Sequence, residues 1–287
     1  MKLKQRIVLA YFRQKLKLLE KFNIQSAAKE AFVLLTTPYN SNRSYTLSPL
    51  FQQAKPLIHN FVQETAKGFE WKAPVPNHQK ILICHGFDSA IYKFERYIEP
   101  LLRLGFNVIA FDAPAHGLST GQTLNVLQYR NFILEIIEKF GPFEGIIAHS
   151  FGGVAAALAA EQLPDESLKK LVLIAPATET TRSVSDFCRI LQISPALQTE
   201  LENLIVKKGG QPISWYSAAR VVQKINIPIL WIHDQHDMIT PYKDMSHLLN
   251  QVLPHVTFHI TEGLGHSLYN NNEVSEKIID FLSKGIK

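Results

Sequence analysis

Only two cysteines occur in the 287 residues. Cys84 sits in an apolar run and Cys188 in a polar helical stretch, a usage that suits neither a disulfide framework nor a metal cluster. It fits a reducing compartment, and a cytoplasmic protein is expected. No run of about 18 apolar residues is present, which excludes a membrane-spanning helix. The apolar stretch 7–12 is broken at Arg13 and no small-residue cleavage site follows, so the start of the chain is a poor secretory signal. Stripes of Arg and Lys with interleaved aromatics are missing from the body of the chain, and the net charge is a mild +5. Nucleic acid is therefore not an expected partner. What is present is an ordinary globular composition, 46% hydrophobic and 19% charged, in a length that suits one large domain or two small ones.

The chain divides by pattern. Residues 1–79 read as a mainly helical N-terminal extension, with breaks at 36–48 and 74–77; only residues 69–72 suggest a strand. Residues 80–177 alternate short apolar runs with helical segments. The runs 81–84, 108–111, 145–148 and 171–174 are β-branched-rich and bounded by turn residues, as strands buried on both faces of a parallel sheet should be. The helical segment 124–140 ends at Gly141, a common helix stop. Alternation of this kind implies βαβ crossovers and a mostly parallel, doubly wound α/β sheet. Residues 178–220 are polar, helical and strand-free, and read as a small helical cap inserted into the sheet domain. Residues 221–287 return to that domain, with strands expected at 227–232 and 256–260 and a closing helix at 274–282.

The chemistry begins at Ile146-Ile147-Ala148-His149-Ser150-Phe151-Gly152-Gly153. An apolar strand runs into Ser150, and a helix of small residues leaves it. A serine in so sharp a turn projects its hydroxyl above the sheet, and the positions two residues either side must be small. Gly152 meets that need. Ala148 stands where glycine is usual. The plain alternative is a serine that caps a helix N-terminus.

On this octapeptide the sequence resembles the α/β-hydrolase superfamily, and three further stretches fit the resemblance. His85-Gly86-Phe87-Asp88 follows the first central strand and looks like an oxyanion loop; the resemblance implies that the N–H groups of Phe87 and Phe151 hold the oxyanion. Asp112-Ala113-Pro114-Ala115-His116-Gly117-Leu118-Ser119 is similar to the family's structural loop after the next strand, and to a bacterial subgroup with a DAPAHG-S signature. Asp112 and His116 are read there as scaffold. The acid and base follow the serine in the order Asp, His. Counting back from Pro241, Asp237 falls on the family's aspartate and Asp234 on a position that is usually glycine. His266, in the glycine-rich turn after the last strand, falls on the general base.

These matches imply an α/β-hydrolase fold and a serine hydrolase with Ser150, His266 and Asp237 as nucleophile, base and orienting acid. A serine hydroxyl is a weak nucleophile until a base takes its proton, and the base needs a carboxylate to fix its tautomer. The expected substrate is a small molecule: a carboxylic ester, with a thioester as the variant. Phe187, Trp215 and Tyr216 are candidates for the substrate pocket, against the plainer reading that they form the cap's own core. No cofactor is expected. His233 and His236 lie three apart, but no third ligand supports zinc, so no metal is expected either. Peptidases and carbon–carbon hydrolases use the same triad, and a noncatalytic ligand-binding homologue is the alternative of a different class.

Residues 1–22 carry seven basic residues, at positions 2, 4, 6, 13, 15, 17 and 21, against Glu20. Leu3, Ile7, Ala10, Tyr11, Leu18 and Phe22 share one side of a helix, with Leu16 and Leu19 at its margin. Such a helix can make peripheral contact with an anionic membrane. The favoured expectation is instead that this apolar side docks on the body of the protein in place of early strands.

Overall fold

The computed structural model describes residues 3–39, 45–164 and 166–284, with side chains from residue 6 onward. The rest of the 36–48 break, residues 40–44, and the side chains of Lys2, Leu3 and Lys4 lie outside the described part.

The chain folds as two compact units. The larger, residues 38–178 and 217–287, is built on one eight-stranded sheet. Its strands are β1 (Lys55–Phe61), β2 (Glu64–Trp71), β3 (Lys80–Cys84), β4 (Asn107–Phe111), β5 (Phe143–His149), β6 (Leu168–Ile174), β7 (Ile229–Asp234) and β8 (Val256–Thr261). They lie in the order β1-β2-β4-β3-β5-β6-β7-β8. From β4 to β8 every pairing is parallel; β1 and β2 pair antiparallel with each other, and β2 with β4.

The central strands are apolar because both faces are covered. Ile81, Ile147, Val172 and Ile232 are all fully buried, and each such side chain contributes roughly 1.5–3 kcal/mol relative to exposure. That requirement made their runs legible. All six expected strands from residue 81 onward are present; β7 is shifted two residues onward from 227–232, and the other five are longer by one to three residues.

Residues 55–71 correct the expectation of a helical extension. They form the β1–β2 hairpin, with Phe61 opposite Glu64. Two features hid it. On β1 the inward positions are Leu57, His59 and Phe61 while Ile58 is exposed, so the apolar alternation is blurred by an inward histidine. The two-residue turn is Val62-Gln63, with φ +56 at Val62, where glycine or asparagine is the usual signal.

Helices of this unit are α3 (Pro49–Gln52), α4 (Glu95–Arg103), α5 (Val126–Phe140), α6 (Ser150–Ala160), α9 (Ala218–Val222) and α10 (Asn272–Ser283). Asn125 starts α5 with a reciprocal capping box: its side chain accepts from the N–H of Gln128, whose side chain accepts from the N–H of Asn125. α6 is almost wholly buried, and its glycines and alanines let it pass close to the sheet.

The smaller unit is all helical and joins residues up to 37 with residues 179–216. It contains α1 (Leu3–Phe22), α2 (Ile24–Thr36), α7 (Thr180–Leu191) and α8 (Pro195–Gly209). The N-terminal helices and the inserted segment thus share one apolar cluster, in which Leu16, Ala27, Ala31, Cys188, Leu197 and Leu201 are buried. Polar ties reinforce it: Lys15 reaches Glu30 at 2.6 Å, Arg13 donates to the carbonyl of Ile190 at 2.7 Å, and Ser194 bonds Glu20. α1 thus does not stand in for early strands, which β1 and β2 supply; it packs within the helical unit, and by a different face. Leu9, Phe12, Leu16 and Leu19 pack, whereas Ile7, Tyr11, Leu18 and Phe22, read from the sequence as the docking side, are exposed. Among the described residues no helix is long and apolar enough to cross a membrane.

Candidate active site

β5 ends at His149 and α6 starts at Ser150. The turn between them places Ser150 at φ +53, a left-handed conformation that non-glycine residues rarely adopt. The turn works only if its neighbours are small. A Cβ on Gly152 would lie 2.3 Å from the carbonyl oxygen of His85, so the loop after β3 can approach only because that position is glycine. Ala148, in the place usually held by glycine, is fully buried and fits without displacing the strand.

Three loops from the carboxyl ends of β5, β7 and β8 converge here, the edge at which open α/β sheets bind ligands. The Ser150 hydroxyl lies 3.0 Å from Nε2 of His266. Nδ1 of the same ring lies 2.8 Å from Oδ2 of Asp237. Nδ1–H donates to the carboxylate, which leaves the Nε2 lone pair to accept from the serine. Ser150 and Asp237 are buried, and the His266 side chain keeps 19% of its surface accessible.

Asp237 is also held by its own loop. Oδ1 accepts from the N–H groups of Ile239 and Thr240 at 2.8 and 2.9 Å, and Oδ2 accepts from the Thr240 hydroxyl at 2.9 Å. Burial alone would push this carboxyl up. The hydrogen bond and charge of His266, with the two N–H donors, outweigh burial and hold it below the usual carboxylate range. Asp234 does something else. It accepts from the N–H of Leu264, the hydroxyl of Thr261 and the N–H of His236, so it ties the loop after β7 to the one that carries His266.

Two contributors were not singled out from the sequence. Nε2 of His149 donates to the carbonyl of His266 at 3.0 Å, and the two rings pack with centroids 4.7 Å apart. Thr240 braces Asp237 and also lies 3.2 Å from Nδ1 of His266. Position beside Ser150 and before Pro241 was the only sequence signal for either.

Phe87 and Phe151 are adjacent, their rings meeting edge to face with centroids 5.3 Å apart. Phe151 is the second residue of α6, so its N–H belongs to the first turn, which has no intrahelical acceptor. In the described residues the N–H of Phe87 is likewise unused. Asp112 is buried scaffold: it accepts from Tyr45, Ile91 and Leu118. His116 donates to the carbonyl of Pro114 and accepts from the N–H of Asp88. Nε2 of His233 donates to the carbonyl of Thr240 at 2.6 Å, and Nδ1 accepts from Trp231. His236 is exposed. Phe187 packs on the helical unit's apolar cluster, and Trp215 meets Tyr216 edge to face at 5.2 Å.

A family profile described as alpha/beta hydrolase fold matches residues 80–209. The chain is 25% identical over 226 residues to "Uncharacterized protein YqkD" of Bacillus subtilis, covering 74% of each chain. A shorter match to "Methylesterase 9" of Arabidopsis thaliana is 35% identical over 89 residues, 29% of this chain and 33% of that one. Among solved structures, the Pyrococcus furiosus esterase Pf2001 superposes with a TM-score of 0.64 at 18% identity, covering 86% of this chain and 96% of that one. The sheet order, the flanking helices and the profile match define the class of architecture: this chain has the alpha/beta-hydrolase fold.

Proposed function

We propose that this protein is a serine hydrolase that cleaves a carboxylic ester through an acyl-serine intermediate. The observation that carries the proposal is the unbroken hydrogen-bond chain from Ser150 through His266 to Asp237, at 3.0 and 2.8 Å.

In this reading Ser150 Oγ attacks the ester carbonyl carbon as His266 Nε2 takes the hydroxyl proton. Asp237 stabilises the imidazolium and keeps its orientation. The N–H groups of Phe87 and Phe151 receive the oxyanion; each such donor is worth roughly 3 kcal/mol of barrier. Collapse of the tetrahedral intermediate breaks the bond to the alcohol oxygen, which leaves with the proton from His266. Water then attacks the acyl-serine, His266 takes its proton and returns it to Ser150, and the carboxylic acid departs. The names of the sequence relatives Methylesterase 9 and Putative esterase/lipase 2 support an ester.

The test is labelling by a fluorophosphonate probe beside turnover of a panel of acyl esters graded by chain length. Wild type is expected to be labelled at Ser150 and to turn over at least one ester, and Ser150→Ala to do neither. A wild-type protein that resists the probe would favour a noncatalytic ligand-binding member of the fold.

A further inference from the structure

α1 carries two apolar stripes, and among the described residues only one of them packs into the helical unit's apolar cluster. Leu9, Phe12, Leu16 and Leu19 pack within the helical unit. Ile7, Tyr11, Leu18 and Phe22 are 61, 61, 58 and 82% exposed. At 3.6 residues per turn these four fall within an arc of about 60°, so they form one continuous strip along the helix.

The unpaired charges beside that strip have one sign: Lys21, Lys17 and Arg6 lie along one margin, while Lys15 on the other is paired with Glu30. Arg6, Lys17 and Lys21 are exposed and have no protein acceptor among the described residues. The helix's acid, Glu20, is turned to Ser194 and does not offset them. A row of large apolar side chains between lysines and arginines suits an interface that is apolar within and anionic at its surface. The apolar groups enter the boundary between headgroups and acyl chains while the long basic side chains reach back to the phosphates. Tyr11, amphipathic, suits the same level.

We infer that this face of α1 is a docking surface for an anionic lipid bilayer, with the helix lying in the plane of the membrane. Self-association fits less well: a two-fold contact through the strip would bring Arg6, Lys17 and Lys21 of both copies together. Because the opposite stripe already holds α1 in the helical unit, the surface is presented without any refolding. The inference is independent of the catalytic reading.

The experiment is co-sedimentation of the full chain with vesicles of phosphatidylcholine, with and without phosphatidylglycerol, at low and physiological salt. The wild type is expected to bind the phosphatidylglycerol vesicles, more tightly at low salt. Lys17→Gln/Lys21→Gln should weaken low-salt binding about thirtyfold, on the scale of one surface charge each. Leu18→Ser/Phe22→Ser should weaken it about a hundredfold or more at both salt concentrations, with an unchanged melting temperature because both side chains are exposed. Failure of the wild type to sediment with anionic vesicles would overturn the inference, as would undiminished binding by the Leu18→Ser/Phe22→Ser variant. A wild-type dimer in light scattering that becomes monomeric in that variant would assign the strip to self-association instead.

Discussion

Nδ1 of His266 lies 2.8 Å from Asp237, while Asp234, three residues earlier at the end of β7, accepts from the backbone N–H of Leu264. One carboxylate holds the ring and the other holds the loop that carries it. Asp237→Asn should therefore lower kcat by about 10⁴, as loss of the orienting acid does in other triads. Asp234→Asn should leave kcat within about tenfold and instead cost about 1–3 kcal/mol of stability, since an amide satisfies its three donors less well. Steady-state kinetics and denaturant melts on both variants check this. The reverse pattern would exchange the roles of the two residues.

Ser150 bears backbone strain, which the proposed role as nucleophile would explain. A non-glycine residue in the left-handed region costs about 1–2 kcal/mol. Ser150→Gly should thus be more stable than Ser150→Ala by about 1 kcal/mol. Both should lose a factor on the order of 10⁴–10⁶ in kcat. Equal melting temperatures for the two variants would count against strain at this turn.

Gly117 has φ +52, and a Cβ there would lie 2.2 Å from Oδ2 of Asp112. The carboxylate has no room to retreat, because Tyr45, Ile91 and Leu118 all donate to it. Gly117→Ala should destabilise the fold by roughly 2–4 kcal/mol. Thermal melting checks this, and a shift of under about 0.5 kcal/mol would contradict it.

Burial lowers the pKa of His85 and His116 to about 4 and of His149 to about 3. Unfolded, each titrates near 6.5. Between those values the unfolded chain binds more protons than the native one, so stability should fall as pH drops from about 6.5 toward 4. For His116 the displacement corresponds to roughly 3 kcal/mol over the full window. Denaturant midpoints measured from pH 7 to 4 should therefore decline less steeply in His116→Asn than in wild type. Asp112, whose pKa burial raises, is present in both proteins and does not set that difference. Parallel curves would mean that His116 is not held neutral.

Much of the central sheet was legible because its physics is one-dimensional. A strand covered on both faces must be apolar at nearly every position, and Ile81 to Cys84, Gly145 to Ala148 and Ile229 to Ile232 meet that condition in sequence alone. The elbow at Ser150 was legible for a similar reason: a turn that admits only small neighbours leaves Gly152 and Gly153 behind. Counting from Pro241 also separated Asp237 from Asp234. The β1–β2 hairpin was not legible. A strand on the sheet edge tolerates Pro56, an inward His59 and an exposed Ile58, and the pairing of β2 with β4 supplies what the hairpin's own composition does not. Nor could periodicity choose between the two apolar stripes of α1. A helical repeat records that a stripe exists, but which one is buried depends on the surface it meets, here α2, which follows directly, and α7, more than 150 residues away in the chain. The bond from His149 to the carbonyl of His266 and the brace from Thr240 to Asp237 likewise exist only once three loops are brought to one edge of the sheet, because a hydrogen bond depends on distance and angle, and sequence separation contains neither.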